Sequence, residues 1–278
     1  MMFFKIARYN FKMGIIFRYK LYIIFAIFIT LQLLFTLPIV MESSEKVGFM
    51  DLIIYIFSGS TPFVKDVDKT FQIPIIWCAF ILYISYINQD YLLKDRFDFG
   101  QLTLIQMRSR INWWLGKCFW LLLNLVILFC ILCVVTALFV SITSGDISFL
   151  NNNTCYLLSN ISVEGVSIPI LLFTALLMPF VCMFAISILQ FLIQLFIDPI
   201  ISYIFVGALT ITSVYFDNNF FFLNGMMMKR NILFSDNGSI NSISVLLIAS
   251  FISFVSFGLG AILFRKYDIL KHKKGAII

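Results

Sequence analysis

Charge is scarce in this chain. Asp, Glu, Lys and Arg make up 12% of its 278 residues, about half the share in an ordinary soluble domain. That excludes an ordinary soluble enzyme. It also excludes a nucleic-acid binder, although the net charge is +6. Histidine occurs once, as His272 in a basic tail. A two-histidine metal motif such as H-E-x-x-H is therefore impossible, and a Ser-His-Asp triad has no histidine placed to serve it. No G-x-x-x-x-G-K-[ST] stretch is present, so the chain carries no P-loop for ATP. Cysteines number six. Cys130-x2-Cys133 has zinc-like spacing but lies in a run of Leu, Ile and Phe with no second pair. Cys155 stands alone among loop residues. These cysteines read as packing residues rather than a metal site or a disulfide scaffold.

Apolar residues are abundant, at 61% with 33 Phe and a mean hydropathy of +1.00. The runs are longer than the alternating ten-residue segments of outer-membrane barrels, and they are apolar on every side. Helices are the expected spanning element, so the fold class is an all-α polytopic membrane protein. About 20 apolar residues make one span, and six are predicted: Leu21–Val40, Phe71–Ile87, Leu115–Ile142, Ser167–Leu189, Pro199–Phe216 and Ile243–Phe264. The fourth and fifth are separated only by Gln190–Asp198. The break falls at Asp198-Pro199, because proline disfavours a helical residue before it. The chain then reads as a single transmembrane domain with an N-terminal leader (1–19) and a tail (265–278). The first apolar run has basic flanks and no small-residue cleavage site, so it is expected to remain as a span.

Charge position orients the spans. Residues 1–20, the loop 88–117 and the tail together hold 15 of the 20 basic residues, while nine of the 14 acids fall on the other side. Positive charge stays in the cytoplasm. Both termini and the 88–117 loop are therefore expected on the cytoplasmic side of the cell membrane. Span centres are nearly bare of ionisable groups. Asn124 and Gln32 are the exceptions, and each reads first as an interhelical hydrogen bond and second as a substrate contact. Without ionisable groups at mid-membrane, ion-coupled transport lacks visible parts. The sequons at Asn152, Asn160 and Asn237 read as polar turns.

Four stretches suggest contacts beyond the lipid. Lys5, Arg8 and Lys12 share one helix face, and Phe4, Ala7, Phe11 and Ile15 share another. Such a helix lies in the headgroup layer as an anchor; the alternative is a plain topogenic leader. The loop 88–117 mixes charge with apolar residues and ends in Trp113-Trp114, where indoles favour the interface. It reads as a short helix offered to a cytosolic partner, or as a topology signal only. The segment Phe49–Phe63 is too short to span and is expected to lie on the outer leaflet or to cap the bundle. Gln190, Gln194 and Asp198 are four apart and read as a solvated face, with a second partner contact as the alternative.

The leader, six spans, long basic loop and short tail resemble the ABC-2-type permeases. So do Pro74-x2-Trp77, Asp95, Gly100-Gln101, Arg108-x-Arg110, Trp113-Trp114 and Lys117. The likeness is to small permeases of Gram-positive bacteria that serve peptide export or bacteriocin self-protection. It implies a permease that is not itself an enzyme and has no cofactor of its own. ATP and Mg would be bound by a cytosolic ABC ATPase dimer. It also implies a second permease copy or paralogue, a peptide cargo, and a coupling helix over about 95–112. Lys94, Asp95, Arg96, Gln101, Gln106, Arg108, Ser109 and Arg110 would dock the ATPase there. Another reading is a non-transporting immunity or sensor protein that binds a toxin or lipid. An intramembrane enzyme fits least, for want of a buried base or acid pair.

Overall fold

The computed structural model describes residues 2–43, 45–63, 73–97, 110–144, 148–235 and 238–266. Its regular structure is helical: α1 (Met2–Gly14), α2 (Tyr19–Leu34), α3 (Leu37–Ser43), α4 (Phe49–Ile56), α5 (Ile75–Phe97), α6 (Arg110–Ser144), α7 (Asn152–Ser159), α8 (Ile168–Gln194), α9 (Pro199–Tyr215) and α10 (Ser242–Lys266). Two short 3-10 turns, Phe222–Met226 and Met228–Arg230, lie between α9 and α10.

The helices are patterned inside out. On α9 the buried residues include Ser202, Thr210 and Ser213, while Ile200, Ile201, Ile204, Phe205 and Ile211 are exposed. On α10 Ile243, Leu247, Phe251 and Phe254 are exposed and Ala249 and Ser256 are buried. A surface of Ile, Leu and Phe over a partly polar interior suits lipid, not water, as the solvent. The protein is membrane-embedded. Four helical stretches are long and apolar enough to cross a bilayer: Arg8–Glu42, Ile111–Ser144, Ile168–Gln194 and Ser242–Leu263. The apolar parts of α5 (Ile75–Gln89) and α9 are shorter. α5 itself has 23 residues, but its last turns carry Asp90, Lys94, Asp95 and Arg96.

The central core is aromatic. Phe80 of α5 meets Phe25 of α2 at 5.9 Å, Phe57 at 5.1 Å and Phe129 of α6 at 6.0 Å between ring centres. Phe129 continues to Phe180 of α8 at 5.3 Å. Tilted and edge-on pairs of this kind add about 0.5–1.5 kcal/mol each beyond burial. α8 contains a π turn at Phe173–Leu177, directly before Pro179. Proline lacks an N–H and crowds the carbonyl four residues back. The wider turn accommodates it without breaking the helix.

At the end where α5 begins, two polar knots close the bundle. Asp51 of α4 is fully buried. It accepts the backbone N–H groups of Gly48 (2.7 Å) and Asn151 (3.2 Å) and the Thr154 hydroxyl (2.5 Å), so it caps α4 and ties it to α7. Arg230 is 0% exposed. Its guanidinium donates to the Ser60 carbonyl (3.0 Å), the Ser213 carbonyl (2.8 Å), the Val214 carbonyl (2.5 Å) and Asn224 Oδ1 (3.1 Å). Ser213 and Val214 end α9, where helix carbonyls have no partner within the helix and the dipole is negative.

Several expectations change here. Much of the loop 88–117 is helix: α5 runs on to Phe97 and α6 starts at Arg110, leaving only 98–109 between them. Of the two placements expected for Phe49–Phe63, Phe49–Ile56 takes the one against the bundle. Met50, Asp51, Leu52, Ile53, Ile54 and Ile56 are all buried, because α4 packs against α6, α7 and the π turn of α8.

Arg230→Lys is expected to cost about 3 kcal/mol or more, since a point ammonium cannot serve these separated acceptors. Thermal melting in detergent measures it. Burial raises the Asp51 carboxyl above its ordinary 3.8, with Thr154, Gly48 and Asn151 opposing. An acid raised in the folded state stabilises the fold most below its unfolded value. It loses that contribution as pH rises through the raised value. Asp51→Asn should therefore flatten the fall in melting temperature between about pH 4 and 8; an unchanged pH profile would contradict this.

Candidate functional site

The opposite end of the bundle, where α5 ends and α6 begins, holds a cluster of buried polar side chains. Its residues repeat every three or four along each helix, which places them on single faces. α6 contributes Trp113, Lys117, Trp120 and Asn124, and α5 contributes Ser85, Asn88 and Tyr91. α8 contributes Ser187, Gln190 and Gln194, and α1 contributes Asn10.

Lys117 is only 1% exposed. Its ammonium donates to Asn10 Oδ1 (3.0 Å) and to the Tyr91 hydroxyl (2.9 Å). It also lies 4.3 Å from the centre of the Tyr91 ring and 5.3 Å from that of Trp113. Ring faces attract a cation most when water is excluded. The Tyr91 hydroxyl donates to Asn10 Oδ1 (2.7 Å), and Asn10 Nδ2 donates to the Gly116 carbonyl (3.1 Å). α1, α5 and α6 thus share one buried hydrogen-bonded triangle. Tyr91 stacks on Trp120 at 3.8 Å, and Trp120 stacks on Phe191 of α8 at 6.0 Å.

A second layer follows two turns along α6. Tyr22 donates to Asn124 Oδ1 (2.6 Å), Asn124 Nδ2 to Asn88 Oδ1 (3.1 Å), and Asn88 Nδ2 to Ser187 Oγ (2.9 Å). This chain joins α2, α6, α5 and α8 in that order. Gln190 Nε2 donates to the Ser85 carbonyl (3.1 Å). The two layers are a mechanical tie between helices. They contain no nucleophile beside a base.

The expected interhelical role of Asn124 is what the structure displays. Other expected site residues fall differently. Lys94, Asp95 and Arg96 lie on the last turns of α5 and Arg110 begins α6. Gln101, Gln106, Arg108 and Ser109 lie outside the described residues. Lys5, Arg8 and Lys12 lie on α1, with Arg8 and Lys12 exposed. Trp113 and Trp114, expected as interfacial anchors, do not face outward: both are buried in the protein. Trp114 Nε1 donates to the Phe257 carbonyl (3.0 Å), and its ring occupies the space beside Gly260, where a Cβ would come within 2.1 Å. Gln190 and Gln194 do not form a solvated face. Both are buried, and Gln190 meets α5 at the Ser85 carbonyl. Asp198 is exposed, and its side chain accepts the Ile200 N–H to cap α9.

Sequence reasoning gave Lys117 a topological role and missed Asn10, Tyr91, Asn88, Ser187 and Tyr22. One signal was present. Lys117 lies seven residues before Asn124, two turns away on the same face of an apolar helix.

No family model matches the chain, and no curated protein or solved structure matches it.

Asn10→Ala removes an acceptor shared by Lys117 and Tyr91. The expected loss is about 2–4 kcal/mol. In a double-mutant cycle with Tyr91→Phe the two changes should couple by about 1 kcal/mol or more. Additive losses in detergent melting would contradict the shared triangle.

Proposed function

We propose that the chain is the membrane-spanning permease subunit of an ATP-driven ABC exporter. It would have six spans, with both termini and residues 98–109 in the cytoplasm of a Gram-positive cell. Its cargo would be an amphipathic or antimicrobial peptide, exported or cleared in self-protection. A cytosolic ATPase dimer would bind ATP and Mg, and a second permease copy or paralogue would complete the complex.

The observation that supports this reading is how the helices flanking 98–109 are tied together. α5 runs past its apolar part to Phe97, and α6 begins at Arg110. Lys117 and Tyr91 bind both helices to α1 through Asn10. A push on residues 98–109 would move α1, α5 and α6 as one body. The Asn124–Asn88–Ser187 chain would pass that movement to α8. The six-span count requires α5 and α9, whose apolar parts are short, to cross as well; a short span is accommodated by local thinning of the bilayer or by association with a partner.

Purification from native membranes tests the assignment. A stoichiometric ATPase of roughly 25–35 kDa is expected; its absence would favour the non-transporting binder. Arg108→Glu with Arg110→Glu should abolish stimulation of that ATPase while the melting temperature stays unchanged. Normal stimulation would defeat the coupling role.

A further inference from the structure

We propose that the seam between α5 and α8 at the 98–109 end is a water-entered vestibule, opening beside Gln194 and reaching as far as Ser85. Several buried polar atoms at this seam have no hydrogen-bond partner among the described residues. Gln194 is 1% exposed, and neither its Nε2 nor its Oε1 has a hydrogen-bond partner among the described residues. Gln190 Oε1 and Ser85 Oγ are likewise buried without one. A buried polar group left unpaired costs about 1–3 kcal/mol, and hydrocarbon offers nothing to pair with.

The four atoms are not scattered. Gln190 and Gln194 are one helical turn apart on one face of α8, about 6 Å. The Gln190 amide already touches α5, donating to the Ser85 carbonyl. Gln194 is the last residue of α8, and Phe196, Ile197 and Asp198 just beyond it are exposed. Unsatisfied groups are therefore spaced inward from the end of α8 to Ser85.

Ser85 is unusual for a further reason. Elsewhere in the apolar helices Thr30, Thr136, Ser141, Thr210, Ser213 and Ser253 donate their hydroxyls to carbonyls three or four residues back. Ser85 Oγ makes no such bond. The local partner that quiets a hydroxyl in lipid is unused, so this hydroxyl is open to another ligand.

Water fits this set. It needs two to four polar partners, and two primary amides and a hydroxyl supply both donors and acceptors. Asn88, three residues nearer that end than Ser85 on α5, is bonded to Ser187 and Asn124 and forms a wall of the seam. On the far side of Ser85 the helix continues with the buried, apolar Ile81 and Phe80, so the vestibule ends at Ser85. The inference goes beyond the permease reading and needs no ATPase partner to hold.

The test is thiol labelling of the full chain in membranes. Ser85→Cys and Gln194→Cys are treated with a charged, impermeant methanethiosulfonate, which attacks only hydrated thiolates. Inverted and right-side-out vesicles are compared. The parent chain, with its six native cysteines, and Ile204→Cys on the lipid-facing side of α9 are the controls. Both seam positions should react roughly tenfold or more faster than the controls, from the face bearing the α8 terminus only. Rates equal to the controls, or reaction from the opposite face, would overturn the proposal. If a cysteine variant fails to insert, Gln194→Leu decides. An unchanged or lower melting temperature supports a hydrated amide. A higher one means the orphaned atoms were dry, and the vestibule is lost.

Discussion

Inside lipid a polar group has only the protein to bond with, and the ammonium of Lys117 feels this most sharply. Its hydrogen bonds to Asn10 and Tyr91 and its place against two aromatic rings let a cation sit where it is 1% exposed. Each of those contacts comes from a particular helix. Separating α1 from α5 or α6 would strand a charge in a low-dielectric medium, a penalty of several kcal/mol. The apolar contacts around it have no such direction, because Leu against Leu is little better than Leu against a lipid tail. Polar groups therefore fix how these helices are arranged, and the aromatic core from Phe25 to Phe180 fills the space between them.

The same logic governs the other end with different chemistry. Arg230 uses its planar fork to collect carbonyls from the end of α9 and from the segment after α4. Asp51 collects N–H groups at the start of α4 and α7. Both are buried charges at helix termini, where unpaired backbone groups of opposite polarity are available. One end of the molecule is thus fastened mainly by bonds to backbone, the other mainly by bonds between side chains.

The sequence revealed the helical class, the apolar segments and the break at Asp198-Pro199, because hydropathy and proline act locally. The interhelical role of Asn124 was also legible, since an amide in an apolar run has few alternatives. The inward turn of Gln190 and Gln194 was not. Spacing four apart gives a shared face but not the direction in which that face points, and next to an exposed Asp198 it looked like a surface. Trp113-Trp114 misled for a related reason. Indoles favour the headgroup layer on average, but here Gly260 and the Phe257 carbonyl provide a buried niche from α10, more than 140 residues further along the chain. Lys117 looked like one more topological charge because charge counting ignores which neighbours a lysine can reach.

The π turn of α8 carries a consequence for how this helix tolerates change. A single surplus residue is absorbed at Phe173–Leu177, and each residue in an α-helix turns the chain by about 100°. Deleting one residue there would restore an even winding, but it would swing everything after Pro179 around the helix axis. Ser187, Gln190 and Gln194 would leave α5 and face another neighbour, although none of them had been altered. The bulge therefore acts as a phase setting between the two halves of α8, and chain length in this one stretch matters more than the identity of the residues that fill it.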